Sequence, residues 1–154
     1  MTYYVDAVYG SDENDGLSRQ TAFRTVGRVN VLTLKGGDTV LFKAGCTYPG
    51  SLVPKREPGE GIVRLGRYGV GDKPVILGDG EAAVDLVDIA YVEVDNLAIS
   101  NPDGVYGVRI CNNAGGETVH VHITNCHIYD VYGDHDRFYI CTGGITITTG
   151  KEKP

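Results

Sequence analysis

The residues best suited to chemistry crowd into one stretch: Asp130, Tyr132, Asp134, His135, Asp136 and Arg137. Carboxylates, an imidazole and a guanidinium this close together can hold a cation or a sugar. In that role Asp130, Asp134 and Asp136 would bind Ca²⁺ or sugar hydroxyls. Asp134, His135, Asp136 and Arg137 would contact substrate, with Arg137 pairing to a uronate carboxylate through its planar fork. The alternative is a solvated turn in an acidic protein. A second set comes from period-two alternation, which turns Glu93, Asp95, Arg109, His120 and His122 outward from short strands. A flat face of mixed polar groups can cradle an extended glycan, with Arg109 and His122 as contacts. Glu93 and His122 are expected to be neighbours on adjacent turns. That pairing would raise the imidazole pKa, an outcome as consistent with structure as with catalysis.

Other motifs point away from chemistry. Asp12-Glu13-Asn14-Asp15-Gly16 lacks the spacing and the downstream bidentate Glu of an EF-hand, and reads as a turn. No phosphate-binding Gly loop, G-x-S-x-G or H-E-x-x-H occurs. Cys46, Cys111, Cys126 and Cys141 form no C-x-x-C pair. They read as core thiols, with a disulfide as the alternative. Net charge is −6, which argues against nucleic acid as a partner, because phosphate contacts need a basic face. A polyanionic sugar would need a cation or a local Arg/Lys cluster to offset that field. No apolar run reaches the ~18–20 residues of a membrane span, so membrane insertion is not expected. The first residues have neither the basic nor the apolar region of a signal peptide.

The elements that must carry these side chains are legible in a repeat. Val92-Glu93-Val94-Asp95-Asn96-Leu97-Ala98-Ile99 is answered by Val121-His122-Ile123-Thr124-Asn125-Cys126-His127-Ile128. A period of roughly 20–30 residues built on short β-branched strands is the mark of a solenoid, whose turns bury their apolar faces on one another. Stacking the two units sets Val92 on Val121, Val94 on Ile123 and Asn96 on Asn125. The two Asn are expected to form a structural ladder, bonding each other and the turn backbone. Further strands are expected at 3–8, 39–43, 62–68, 74–77, 91–95, 119–124 and 143–150, with Val119 inward and His120 outward. A short helix is expected at 23–32, capped by Thr21, covering the open end of the first coil. The chain thus divides into a cap region, 1–45, and successive coils, 46–154. No polar terminal repeat follows Gly150, so the chain is expected to be a C-terminally truncated fragment, or one completed by self-association through its open coil.

Tyr3-Tyr4-Val5-Asp6, Gly10 through Gly16, Thr21-Ala22-Phe23-Arg24-Thr25 and Gly36-Gly37-Asp38-Thr39-Val40-Leu41-Phe42-Lys43 resemble the N-terminal signature of the right-handed parallel β-helix, pectate-lyase-like superfamily. Tyr68-Gly69, Gly71-Asp72-Lys73-Pro74 and the repeat above continue it. The resemblance implies an all-β, right-handed parallel β-helix with a capping helix. It also implies a secreted or cell-envelope parent that acts on a polysaccharide or oligosaccharide. In that superfamily catalytic residues usually lie on later coils. A lyase needs a cation or Arg to neutralise the uronate and a base beside it; a hydrolase needs two carboxylates across the bond. Neither set is unmistakable here. A glycan-binding or adhesive module, or a cap whose function lies downstream, stands beside the enzyme reading.

Overall fold

The computed structural model describes residues 1–133 and 142–149. The chain runs through β1 (Thr2–Val5), α1 (Val26–Asn30), β2 (Thr33–Leu34), β3 (Thr39–Lys43), β4 (Thr47–Pro49), β5 (Lys55–Arg56) and β6 (Val63–Tyr68). It continues through β7 (Val75–Leu77), β8 (Ala82–Val87), β9 (Val92–Asp95), β10 (Ala98–Asn101), β11 (Tyr106–Asn112), β12 (Val121–Thr124), β13 (His127–Val131) and β14 (Gly143–Thr149). The fold is all-β, with almost no helix. Every named pairing between these strands is parallel.

The topology follows from the repeat. One sheet has the order β1-β3-β6-β9-β12, a second β13-β10-β7-β4 and a third β14-β11-β8. From β6 onward the chain visits these sheets in rotation and returns to each one ladder step further on, an arrangement compatible with a solenoid. Period-two side chains therefore line up in rows through the interior. Tyr3, Val40, Leu65, Val94 and Ile123 form one row. Tyr48, Ile76, Ile99 and Ile128 form a second, and Leu86, Ile110 and Ile147 a third. The core sits between the sheets and is driest in the middle turns, where Leu65, Ile76, Val94 and Ile99 have no exposure. It opens toward the last turn. Ile145 and Ile147 continue interior rows yet stand 50% and 70% exposed, and Val121 and Ile123 are only partly covered.

The helix is shorter than the sequence suggests, and its cap differs. Phe23 cannot be helical because it bridges Val5 as a strand does. Its N–H donates to Tyr4 O and its carbonyl accepts from Asp6 N. Thr21 turns its hydroxyl to Asp15 Oδ1 (2.6 Å). Thr25 is the N-cap, accepting from Arg28 N at 3.1 Å. Val26 and Val29 bury the helix face against Val5, Phe23 and Leu34. Asn30 fixes the helix end to the following coil, donating to Ser51 O and accepting from Val53 N, both at 2.8 Å.

Strand edges also shift. β1 ends at Val5 and β12 begins at Val121, which places Val119 and His120 before the strand. His120 takes a left-handed φ of 52°, and Val119 is exposed. Val119 thus does not point inward as a strand over 119–124 would have it, whereas His120 still faces outward, from a corner and not from a strand. At Gly36 an added Cβ would lie 1.7 Å from Glu60 O, so two turns touch there backbone to backbone.

Candidate functional site

The outer face of the β1-β3-β6-β9-β12 sheet carries the best-organised polar cluster among the described residues. Registration places Thr39, Arg64, Glu93 and His122 side by side on successive strands. Tyr91 and His120 occupy equivalent corners, just before β9 and β12. Both have left-handed φ, 54° and 52°. Their rings stack at 6.3 Å, and His120 stacks on His122 at 4.0 Å. The Arg56 guanidinium lies 5.4 Å from the Tyr91 ring centre and extends the column. Glu93 is its hub. Its Oε2 accepts from Arg64 Nε at 3.0 Å, and its Oε1 lies 2.8 Å from His120 Nε2 and 4.0 Å from His122 Nδ1. The His120 hydrogen bond, with the nearby Arg64 charge, holds the Glu93 carboxyl below the ordinary glutamate range.

Glu93 and His122 are thus cross-turn neighbours, but His120 makes the closer contact. Sequence alternation missed this because His120 reaches Glu93 from a corner, where period-two reasoning does not apply. The only signal was a second His two residues before His122.

Arg109 lies on the outer face of another sheet, with its donors already engaged. Nε and Nη2 bond Asp85 at 2.9 and 2.5 Å, and Nη1 bonds Glu81 at 3.0 Å. The Asp85 bond and the flanking carboxylates push its pKa above the ordinary arginine value, so it is a permanent cation.

Asn96 and Asn125 stand at equivalent corners with φ of 62° and 51°, a conformation Asn tolerates through its short polar side chain. Their amides do not bond one another. Asn125 Nδ2 donates to Asp95 Oδ1 at 2.8 Å, and Asn96 Oδ1 accepts from Lys73 Nζ at 3.0 Å. Lys73 also reaches Asn125 O, so one ammonium spans both corners.

Asp130 is exposed at a φ of 48° and lines a shallow depression of about 430 Å³ with Pro102, Val131 and Tyr132. Asp134, His135, Asp136 and Arg137 lie outside the described residues, as does Cys141. Cys46, Cys111 and Cys126 are free thiols; Cys46 is buried, and desolvation pushes the Cys126 thiol up. The 12–16 segment is a turn whose two aspartates are used internally, Asp15 accepting from Leu17 N and the Thr21 hydroxyl. Asp12 accepts from the N–H groups of Arg24 and Thr25 and from the Thr25 hydroxyl.

A second cleft went unread in the sequence. Asp6, Tyr9, Arg19, Lys43 and Tyr68 line a space of about 370 Å³ near the start of the chain. Lys43 bonds Asp6 and lies over the Tyr9 ring, and Arg19 lies over Tyr68. These groups are scattered along the sequence, and only the stacking of β1, β3 and β6 gathers them.

No family model matches this chain. It is similar to a lacto-N-biosidase of Bifidobacterium longum subsp. longum, 24% identical over 204 aligned residues, covering 94% of this chain and 13% of that protein. It is also similar in structure to the GH136 lacto-N-biosidase of Eubacterium ramulus. The selenomethionine derivative superposes with a TM-score of 0.85 at 28% identity, over 99% of this chain and 31% of that one. The native crystal gives 0.82 and 26%, over 96% and 30%. The chain therefore spans less than a third of the length of these relatives.

Proposed function

We propose that this chain is the N-terminal part of a carbohydrate-active, right-handed parallel β-helix protein, a glycoside hydrolase acting on an oligosaccharide. The observation that carries the reading is the superposition of nearly the whole chain on a GH136 lacto-N-biosidase at a TM-score of 0.85. Similarity to hydrolases favours hydrolysis over β-elimination. The local chemistry agrees. The Arg56–Tyr91–His120–His122 column offers flat ring faces beside charged donors and acceptors, the mixture that orients a sugar. Hydrolysis needs two carboxylates set across the glycosidic bond. In this reading they lie on further turns of the parent protein, and the described face contributes binding.

The test incubates the purified chain and its parent protein with lacto-N-biose-containing oligosaccharides, pectin, alginate and glycosaminoglycans. The expected result is release of a disaccharide with a new reducing end by the parent, and no turnover by the 154-residue chain. Absorbance from an unsaturated uronate would replace hydrolase by lyase. Cleavage by the isolated chain would move the catalytic pair into it.

A second reading, a cap that starts the coil while function lies elsewhere, is favoured by the asymmetry of the core. Val26 and Val29 of α1 are fully buried in it near the start of the chain, whereas Ile145 and Ile147 stand exposed at the last described turn. Loss of glycan binding from the parent on substituting Tyr91 or His122 would count against it.

A further inference from the structure

The geometry points to a divalent transition-metal site formed by Glu93, His120 and His122 on the outer face of the β9–β12 pair. Glu93 Oε1, His120 Nε2 and His122 Nδ1 lie within 4.8 Å of one another. Two ligands on a tetrahedral Zn²⁺ stand roughly 3.3 Å apart, given metal–ligand bonds of about 2.0–2.1 Å. The observed separations from Oε1, 2.8 Å to His120 and 4.0 Å to His122, fall on either side of that value. Closing the set needs a shift of about 1 Å by His122, within the rotamer freedom of a half-exposed side chain. His120 need only exchange its hydrogen bond for a bond to the metal.

The surroundings position these donors. Arg64 Nε holds Glu93 Oε2, which leaves Oε1 facing both rings. Tyr91 stacks on His120 and sets that ring, whereas His122, stacked on it at 4.0 Å with 25° between the planes, is the half-exposed ring that turns to bring its in-plane lone pair to the ion. The three side chains are 25%, 28% and 53% exposed, so an ion can enter and water can complete its coordination. Two imidazoles and one carboxylate suit Zn²⁺, Ni²⁺ or Cu²⁺. They do not suit Ca²⁺, which takes six to eight oxygen ligands. The site shares His120 and His122 with the glycan reading, but its test involves no sugar, so either can fail without the other.

The experiment titrates the tag-free, EDTA-treated chain with ZnCl₂, NiCl₂ and, separately, CaCl₂, by calorimetry and by histidine-ring NMR. One equivalent of Zn²⁺ or Ni²⁺ should bind, and CaCl₂ should give no heat. The ring signals of His120 and His122 should move while those of His127, on another sheet, stay. His120→Gln or His122→Gln should each weaken binding at least about tenfold. Absence of binding, ring shifts confined to His127, or undiminished affinity in the His120→Gln/His122→Gln double variant would overturn the site. If that variant does not fold, the ring shifts in the unaltered chain decide the matter.

Discussion

Lys43 Nζ lies 2.6 Å from Asp6 Oδ2 and ties the end of β3 to the turn after β1, 37 residues earlier. The other oxygen of Asp6 accepts the N–H groups of Val8 and Tyr9 at 2.9 and 3.1 Å. Burial pushes this carboxyl up, but the lysine and the two amides together outweigh it and bring it below the ordinary 3.8. A lowered folded value means that the contribution to stability is complete above 3.8. It is lost as pH falls through the folded value. Melting temperature should therefore drop on acidification below the ordinary carboxylate range, and Asp6→Asn should flatten that acid limb. Parallel pH–melting curves for the two proteins would remove Asp6 from the account. For Lys43 the sign reverses. Its raised pKa gives a contribution present below 10.5 and lost as pH rises through the folded value.

The interior row predicts a gradient of mutational cost. Leu65 is fully buried between Val40 and Val94, whereas Ile123 continues the same row with only partial cover. Leu65→Ala should cost about 3 kcal/mol, transfer and cavity terms together, and Ile123→Ala about 1 kcal/mol. Urea unfolding of both variants measures the difference. Equal costs would mean that the last turn is as well packed as the middle.

Arg109 gives a prediction that separates binding from support. Arg109→Ala leaves Asp85, only 15% exposed at its side chain, without its bidentate partner. The loss should be about 1–2 kcal/mol, allowing for solvent screening at this half-open site. Arg109→Lys should recover part of it, since an ammonium cannot reproduce the fork. If Arg109 also contacts glycan in the parent protein, the Lys variant should weaken glycan binding beyond what its stability change explains.

The exposed ends of the interior rows predict association. Ile145 and Ile147 present branched apolar side chains on a parallel sheet edge, the type of surface that pairs with another chain. Sedimentation of the isolated chain should show concentration-dependent assembly, and Ile145→Lys with Ile147→Lys should shift it to monomer. Monomer at every concentration without the substitutions would contradict this expectation.

Periodicity carried the fold a long way. The pairing of Val92 with Val121 and of Val94 with Ile123 is readable because a two-residue period and a repeated Asn fix the register. Corners were harder. His120 and Tyr91 adopt left-handed backbone with side chains that carry little turn signal, so their reach toward Glu93 is invisible to alternation. The helix was overextended because Phe23 is apolar at helical spacing, while its backbone groups belong to a bridge with β1. The Asp6–Lys43 cleft was out of reach for a different reason: pairing over 37 residues leaves no local pattern.

Matched corners at Asn96 and Asn125 recur at the 29-residue offset that also separates Asp95 from Thr124. Length changes in this region are consequently quantised. Deleting or duplicating a whole 29-residue unit would return every apolar side chain to the inside, whereas a one-residue insertion within β9 would invert the strand and turn Val94 outward. Related sequences should vary here by complete units or at the tips of turns, giving tandem duplication a direct route to longer or shorter versions.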